Sequence, residues 1–155
     1  MFSKDILIIV KMKGRVAIIT ASSTGIGKSI AEKLAKEGVK VIISSRNIDH
    51  VTDTVKEFKE KGYEAHGIVC HVGKKEDRKA LVEQTIEKYG RIDYLVPNAA
   101  VSLRMTNMMD AEESQLQKMF DINYKSTFML IKESLPFLRK QQGSSIVLIS
   151  TLGAY

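Results

Sequence analysis

Between residues 16 and 37 the chain passes from an apolar strand through a glycine turn into an amphipathic helix, and few folds accept that succession. Val16-Ala17-Ile18-Ile19 reads as a short buried strand, and Lys28 to Glu37 as a helix with Ile30, Ala31, Leu34 and Ala35 on one face. Between them stand Thr20, Ala21, Ser22, Ser23, Thr24, Gly25, Ile26 and Gly27. Strand, glycine turn and helix in this order is the setting in which glycines mark a dinucleotide site. Gly25 and Gly27 let the backbone come close to a pyrophosphate and let the helix pack tightly on the sheet. The free N–H groups of the first helical turn then face the anion. A turn that merely joins a strand to a helix is the alternative, and the rest of the chain weighs against it.

The same alternation continues downstream. Lys40-Val41-Ile42-Ile43-Ser44 is a second β-branched run. Ile48 to Lys61 is predicted helical, with Val51, Val55 and Phe58 on one face and Asn47 or Asp49 as its cap. Glu64 to Cys70 is a third strand, and Lys75 to Tyr89 a third helix with Ala80, Leu81, Thr85 and Ile86 inward. Tyr94-Leu95-Val96 is a fourth strand, followed by a loop from Asn98 to Met109. Asp110 and Glu113 have the spacing of a capping box, opening a helical region that runs to Gln142 with a break near Asp121–Asn123. Pro136 is expected to bend or end it. Ser145-Ile146-Val147-Leu148-Ile149 is a fifth strand. Strands alternating with helices of this length imply right-handed βαβ units on a parallel sheet. The expectation is an α/β, Rossmann-type doubly wound sheet of order 3-2-1-4-5, truncated after strand five, with its ligand outside the carboxyl ends of strands one and four. Residues 1–13 are taken as a leader and 14–155 as one domain.

Composition excludes several other classes. A chain of 155 residues with 44% hydrophobic content supports one domain with a real core. The net charge of +6 suits a phosphorylated ligand. Its lysines are spread beside glutamates, as in Glu57-Phe58-Lys59-Glu60-Lys61, and no aromatics interleave with a basic run, so nucleic acid is not an expected partner. Cys70 is the single cysteine, which leaves no internal disulfide or thiolate metal cluster and fits a reducing, cytoplasmic setting. His50 and His66 have no metal spacing and read as surface residues. Ile6-Leu7-Ile8-Ile9-Val10 is too short to span a bilayer.

These motifs together resemble the short-chain dehydrogenase/reductase family. Thr20, Gly25 and Gly27 hold positions of its glycine fingerprint, with Ala21 in place of the first glycine. Asn98-Ala99-Ala100 is similar to its motif after strand four, Asp121-Ile122-Asn123 to the segment with its active-site asparagine, and Ile149-Ser150-Thr151 to the strand end with its serine. The resemblance covers residues 13–155. Ala21-Ser22-Ser23, Ser45-Arg46-Asn47, Cys70-His71-Val72-Gly73 and Asn98-Ala99-Ala100-Val101 resemble most its NADPH-dependent carbonyl and retinal reductase group.

Arg46 is expected to choose the cofactor. An NAD site needs an acid at the end of strand two, about 20 residues past the glycines, to hold the ribose hydroxyl. Residues 44–47 contain none; Arg46 can pair with a 2′-phosphate, with Ser45 and Asn47 beside it, which points to NADP(H). The competing reading of Arg46 is an ordinary exposed arginine. His71 stands where the family carries an aspartate for the adenine amine, and a neutral imidazole nitrogen could accept the same bond; Val72 would line the adenine pocket. Asn98, Ala99 and Ala100 let backbone approach the ribose.

By resemblance, Asn123 opens its helix and holds a water in a proton relay, and Thr151 stands at the serine position, where its hydroxyl could meet a substrate carbonyl. The family's tyrosine and lysine lie beyond Tyr155. What the resemblance implies is the cofactor-binding portion of an NADP-dependent carbonyl or alcohol oxidoreductase, homo-oligomeric when complete, with a peroxisomal address as an alternative to the cytoplasm. A short isoform without catalysis, binding a nucleotide or a partner, is the second reading. Phe128, Ile131, Leu135 and Leu138 are expected to lie exposed on the chain alone, which would then be marginally stable or self-associating.

Overall fold

The computed structural model describes residues 12–102 and 108–150. Five parallel strands form one sheet in the order β3-β2-β1-β4-β5. They are β1 (Val16–Thr20), β2 (Lys40–Ser45), β3 (Ala65–Val69), β4 (Tyr94–Val96) and β5 (Ser145–Ile146). The helices are α1 (Gly25–Lys36), α2 (Ile48–Glu60), α3 (Lys75–Tyr89), α4 (Glu113–Met119) and α5 (Ser126–Leu138). A 3₁₀ turn (Met108–Asp110) precedes α4, and a π-helical turn (Phe120–Lys125) joins α4 to α5.

The side-chain period of two sends alternate strand residues to opposite faces. Ala17, Ile19, Val41, Ile43 and Ala65 form a core with Ala31 and Ala35 of α1 and Val51 and Phe58 of α2. Ile18, Ile42, Ile68 and Leu95 form a second with Leu81 and Val82 of α3 and Leu130 and Leu138 of α5. Both faces of β1 are therefore covered, and all five of its residues are buried. That is why its sequence is a continuous apolar run rather than an alternating one. Ile18 pairs in register with Ile42 on one side and Leu95 on the other.

Several boundaries differ from the sequence expectation. Helix α1 begins at Gly25, three residues before Lys28. The anticipated Asp110–Glu113 box is displaced: Gln115 Oε1 accepts the Glu112 N–H at 3.0 Å. Pro136 lies inside α5, which ends only at Leu138; in the last turn its missing donor deprives the helix of one bond. Regular pairing in β5 is confined to Ser145–Ile146, although the Val147 and Ile149 N–H groups still reach Leu95 and Pro97 carbonyls at 3.0 and 3.3 Å. The expected exposed face is also rearranged. Leu138 is buried and Ile131 packs against the core, whereas Phe128 is exposed together with Leu116, Phe120 and Tyr124. These four recur every fourth residue, so they form one stripe, in which the Phe120 and Tyr124 rings stack at 5.2 Å.

Candidate functional site

A cleft of about 590 Å³ opens beyond the carboxyl ends of the strands. Most of its lining comes from the strand ends: Ala21, Ser23 and Thr24 after β1, Ser45 to Asn47 at the end of β2, Cys70 to Val72 after β3, and Ala99 to Val101 after β4. Strand order reverses between β1 and β4, so the loops on either side part there and leave a crevice.

The glycine turn is held by its own hydroxyls and by one amide. Ser22 Oγ donates to the Ile19 carbonyl at 2.7 Å and accepts the Ser44 N–H at 2.9 Å. Thr54 Oγ1 of α2 donates to the Ser23 carbonyl at 3.0 Å. Asn98 Nδ2 donates to the Thr20 and Ala21 carbonyls at 3.0 and 3.2 Å, while Thr20 Oγ1 accepts the N–H groups of Asn98 and Ala99 at 2.9 and 3.0 Å. Ser22 and Asn98, both expected at the ligand, thus fasten the turn to β2 and β4, and neither lines the cleft. Thr24 is the N-cap of α1 without a side-chain cap, and no acidic residue occupies the first turn. The first-turn N–H groups at Gly25, Ile26 and Gly27 have no partner among the described residues, and these three residues, also expected at the ligand, do not line the cleft.

Gly27 packs directly on its own chain: a Cβ there would clash with the Ala21 carbonyl oxygen and stand 2.6 Å from Asn98 Nδ2. Gly25 has φ +56°, and Ala21 is the one described non-glycine residue at positive φ, +50°. A left-handed alanine costs about 1–2 kcal/mol. Ala21→Gly is accordingly expected to raise stability by about 0.5–1 kcal/mol after the extra chain entropy of glycine is deducted. Urea denaturation checks this, and a decrease would mean that the Ala21 methyl group packs to advantage.

At the end of β2 the three candidates divide. Ser45 Oγ is engaged with the Asn47 backbone at 3.3 and 3.4 Å, and Asn47 Oδ1 accepts the His50 N–H at 3.0 Å as the cap of α2. Arg46 is exposed on the cleft wall, with neither an ion-pair nor a hydrogen-bond partner among the described residues. Its guanidinium is the group there that remains free for a ligand.

Across the cleft, the His71 N–H donates to Asp77 Oδ2 at 2.9 Å, and His71 Nδ1 accepts the Gly73 N–H at 3.1 Å. The nitrogen expected to serve an adenine amine is therefore partly spoken for by the chain. Val72 lines the wall and its carbonyl accepts from Arg78 Nη1 at 2.7 Å. Arg78 is buried on α3; its Nε lies 3.3 Å from Glu133 Oε2 of α5. Burial, with the Asp77 charge behind it, pushes the Cys70 thiol up to about 12, so it stays protonated and inert.

Asn123 sits in the π turn, where the Ser126 N–H reaches back to the Asp121 carbonyl. Its Oδ1 accepts the Val101 N–H and its Nδ2 donates to the Val101 carbonyl, both at 2.8 Å. The helix is opened as expected, and the side chain ties the loop after β4 to it. Thr151 lies outside the described residues. His50, read as a surface residue, is exposed but lines the cleft, as do Lys118 and Ile122, which the sequence reading passed over. Their four-residue spacing, putting Lys118 one turn before Ile122, was the available signal. Among the described residues no group of His, Cys, Asp or Glu could hold a metal ion, and no helix is long and apolar enough to cross a membrane.

A family model described as short chain dehydrogenase matches residues 15–154. The chain is 43% identical over 145 residues to "Tropinone reductase-like 3" of Erythroxylum coca, covering 94% of this chain and 55% of that protein. It is 40% identical over 144 residues to "Dehydrogenase/reductase SDR family member 4" of Homo sapiens, covering 93% and 52%. Among solved structures, L-sorbose reductase from Gluconobacter frateurii, complexed with NADPH and L-sorbose, superposes with a TM-score of 0.83 at 31% identity, over 88% of this chain and 52% of that one. The chain spans about half the length of the curated relatives it matches.

Proposed function

Because the chain belongs to the short-chain dehydrogenase family, we propose that it carries the NADP-binding portion of an oxidoreductase acting on a carbonyl or alcohol. The observation that carries this reading is Arg46, free on the cleft wall where an NAD site would present an acid. When bound, the nicotinamide supplies or takes up the hydride. The chain's own part is to hold and orient. The first-turn N–H groups of α1 receive the pyrophosphate, and Arg46 pairs with the 2′-phosphate. Ala99 and Ala100, lacking bulk, let the β4 end approach the ribose. Asn123 fixes the π turn beside the cleft, and Thr151 is the candidate for a hydroxyl at the substrate. NADPH bound to the L-sorbose reductase supports the choice of cofactor. The exposed stripe Leu116, Phe120, Tyr124 and Phe128 supports self-association of the complete protein.

Binding of adenosine 2′,5′-bisphosphate against ADP, read by calorimetry, tests the assignment. The 2′-phosphate ligand is expected to bind more tightly, and Arg46→Ala to weaken it by about 1.5–3 kcal/mol, or about 10–150-fold, with little effect on ADP. An unchanged preference in the variant would remove Arg46 from the role.

A further inference from the structure

The cleft is charged in one sense. Among the described residues its lining holds two basic side chains, Arg46 at the end of β2 and Lys118 on α4, and no aspartate or glutamate. Two carboxylates close by in sequence are engaged elsewhere: Asp77 accepts the His71 N–H, and Asp121 accepts from Lys125 Nζ. Lys118 is exposed and has no ion-pair or hydrogen-bond partner among the described residues. It lies inside a continuous helical stretch, where the backbone is enclosed by its own ladder and side chains. What reaches the cleft is therefore its side chain, one turn before Ile122 on the same wall. An ammonium on a flexible stem, fixed by no partner, acts on a cleft ligand as a mobile point charge. It does so well inside the screening length of about 10 Å at 0.1 M salt.

Resting on the NADP reading above, we propose that Lys118 is a further specificity-determining residue of the cleft: it selects for the number of phosphates on the ligand through its charge, without a fixed hydrogen bond. The two cations then divide the work by their chemistry. The planar guanidinium of Arg46 reads the geometry of one phosphate, whereas the Lys118 ammonium responds to the total charge of the nucleotide. A contact is lost in full when the ammonium is removed. A charge effect grows further when the sign is reversed, and it fades as salt is added.

The test uses the full 155-residue chain with adenosine 5′-monophosphate and adenosine 2′,5′-bisphosphate, which differ by one phosphate. Calorimetry compares the parent, Lys118→Gln, Lys118→Glu and Lys132→Glu at about 20 mM and about 500 mM salt. Lys132 is exposed on α5 and does not line the cleft, so its reversal changes the net charge by the same amount elsewhere. At low salt Lys118→Gln should weaken the bisphosphate about 3–5-fold and the monophosphate about twofold, and Lys118→Glu should square both factors. At high salt every difference should shrink to within about 1.5-fold. Lys132→Glu should bind both ligands within about 1.5-fold of the parent at either salt. A loss that is complete in Lys118→Gln and persists at high salt would overturn the charge role, as would parent-like binding in Lys118→Glu at low salt. Equal losses in Lys132→Glu would assign the effect to net charge and overturn it too. If neither ligand binds the parent at either salt, the nucleotide reading itself falls, and this role with it.

Discussion

Arg78→Ala is expected to lower the stability of the chain by about 3–5 kcal/mol, because it strands the Glu133 carboxylate at a largely buried position. The Arg78 side chain is 6% exposed and that of Glu133 20%, so water can replace little of what is removed. The loss is large against the roughly 5–15 kcal/mol that holds a domain together. Arg78 also bonds the Val72 carbonyl at 2.7 Å, so the cleft wall loses a support in the same step. Thermal unfolding should show the midpoint falling by about 10 °C or more. Joining Arg78→Met to Glu133→Leu removes both charges and should restore most of the stability. Single variants within about 1 kcal/mol of the parent would mean that the pair is replaceable by solvent.

Gly27→Ala is expected to weaken binding of adenosine 2′,5′-bisphosphate by about 100-fold or more, equivalent to about 2.7 kcal/mol. The added methyl meets the Ala21 carbonyl oxygen and Asn98 Nδ2, which are bonded to each other and so cannot both give way. Helix α1 must lift from the turn, carrying its first-turn N–H groups out of line, with a stability loss of about 1–3 kcal/mol. Gly25→Ala provides the contrast. A Cβ there meets nothing within 4 Å, and the cost is confined to φ +56°. Calorimetry on both variants separates crowding from backbone strain. Parent-like affinity in Gly27→Ala would mean that the close packing of α1 on the turn does not position its N–H groups for the ligand.

The sheet was legible because burial on both faces leaves a mark that does not depend on tertiary detail. Val16 to Ile19 and Val41 to Ile43 are apolar at every position, and only a covered strand tolerates that. Arg46 was legible for a related reason, since its position relative to the glycines fixes where it stands in the crevice. The side chains of Ser22 and Asn98 were not. A small polar residue in a turn serves a ligand or its own backbone equally well, and hydrogen bonds to Ile19, Thr20 and Ala21 decide the matter. Arg78 was passed over as a charge, although it falls on the buried stripe with Leu81, Val82 and Thr85. Its charge masked a position that its spacing of three, four and seven to Leu81, Val82 and Thr85 places in the interior. The cap at Glu112 and the early end of β5 turn on local geometry, to which residue type is nearly indifferent.

The π turn sets the rotational phase of everything after it. An α-helix advances about 100° per residue, so a segment carrying one residue more per turn hands α5 on at a different angle from that of an uninterrupted helix. At that angle Leu130, Ser134 and Leu138 point inward and Glu133 meets Arg78. Regularising the helix with all six residues of Phe120–Lys125 kept would swing all four away from their partners, whereas with one residue fewer, five α-helical residues cover nearly the same angle. Exposed Tyr124 and Lys125 can differ in kind at moderate cost, whereas Asn123 is held by its two hydrogen bonds to Val101. The turn works as take-up in a gear train: one residue can be lost within it with the phase of α5 kept, and a residue lost from the regular turns of α5 cannot be absorbed in this way.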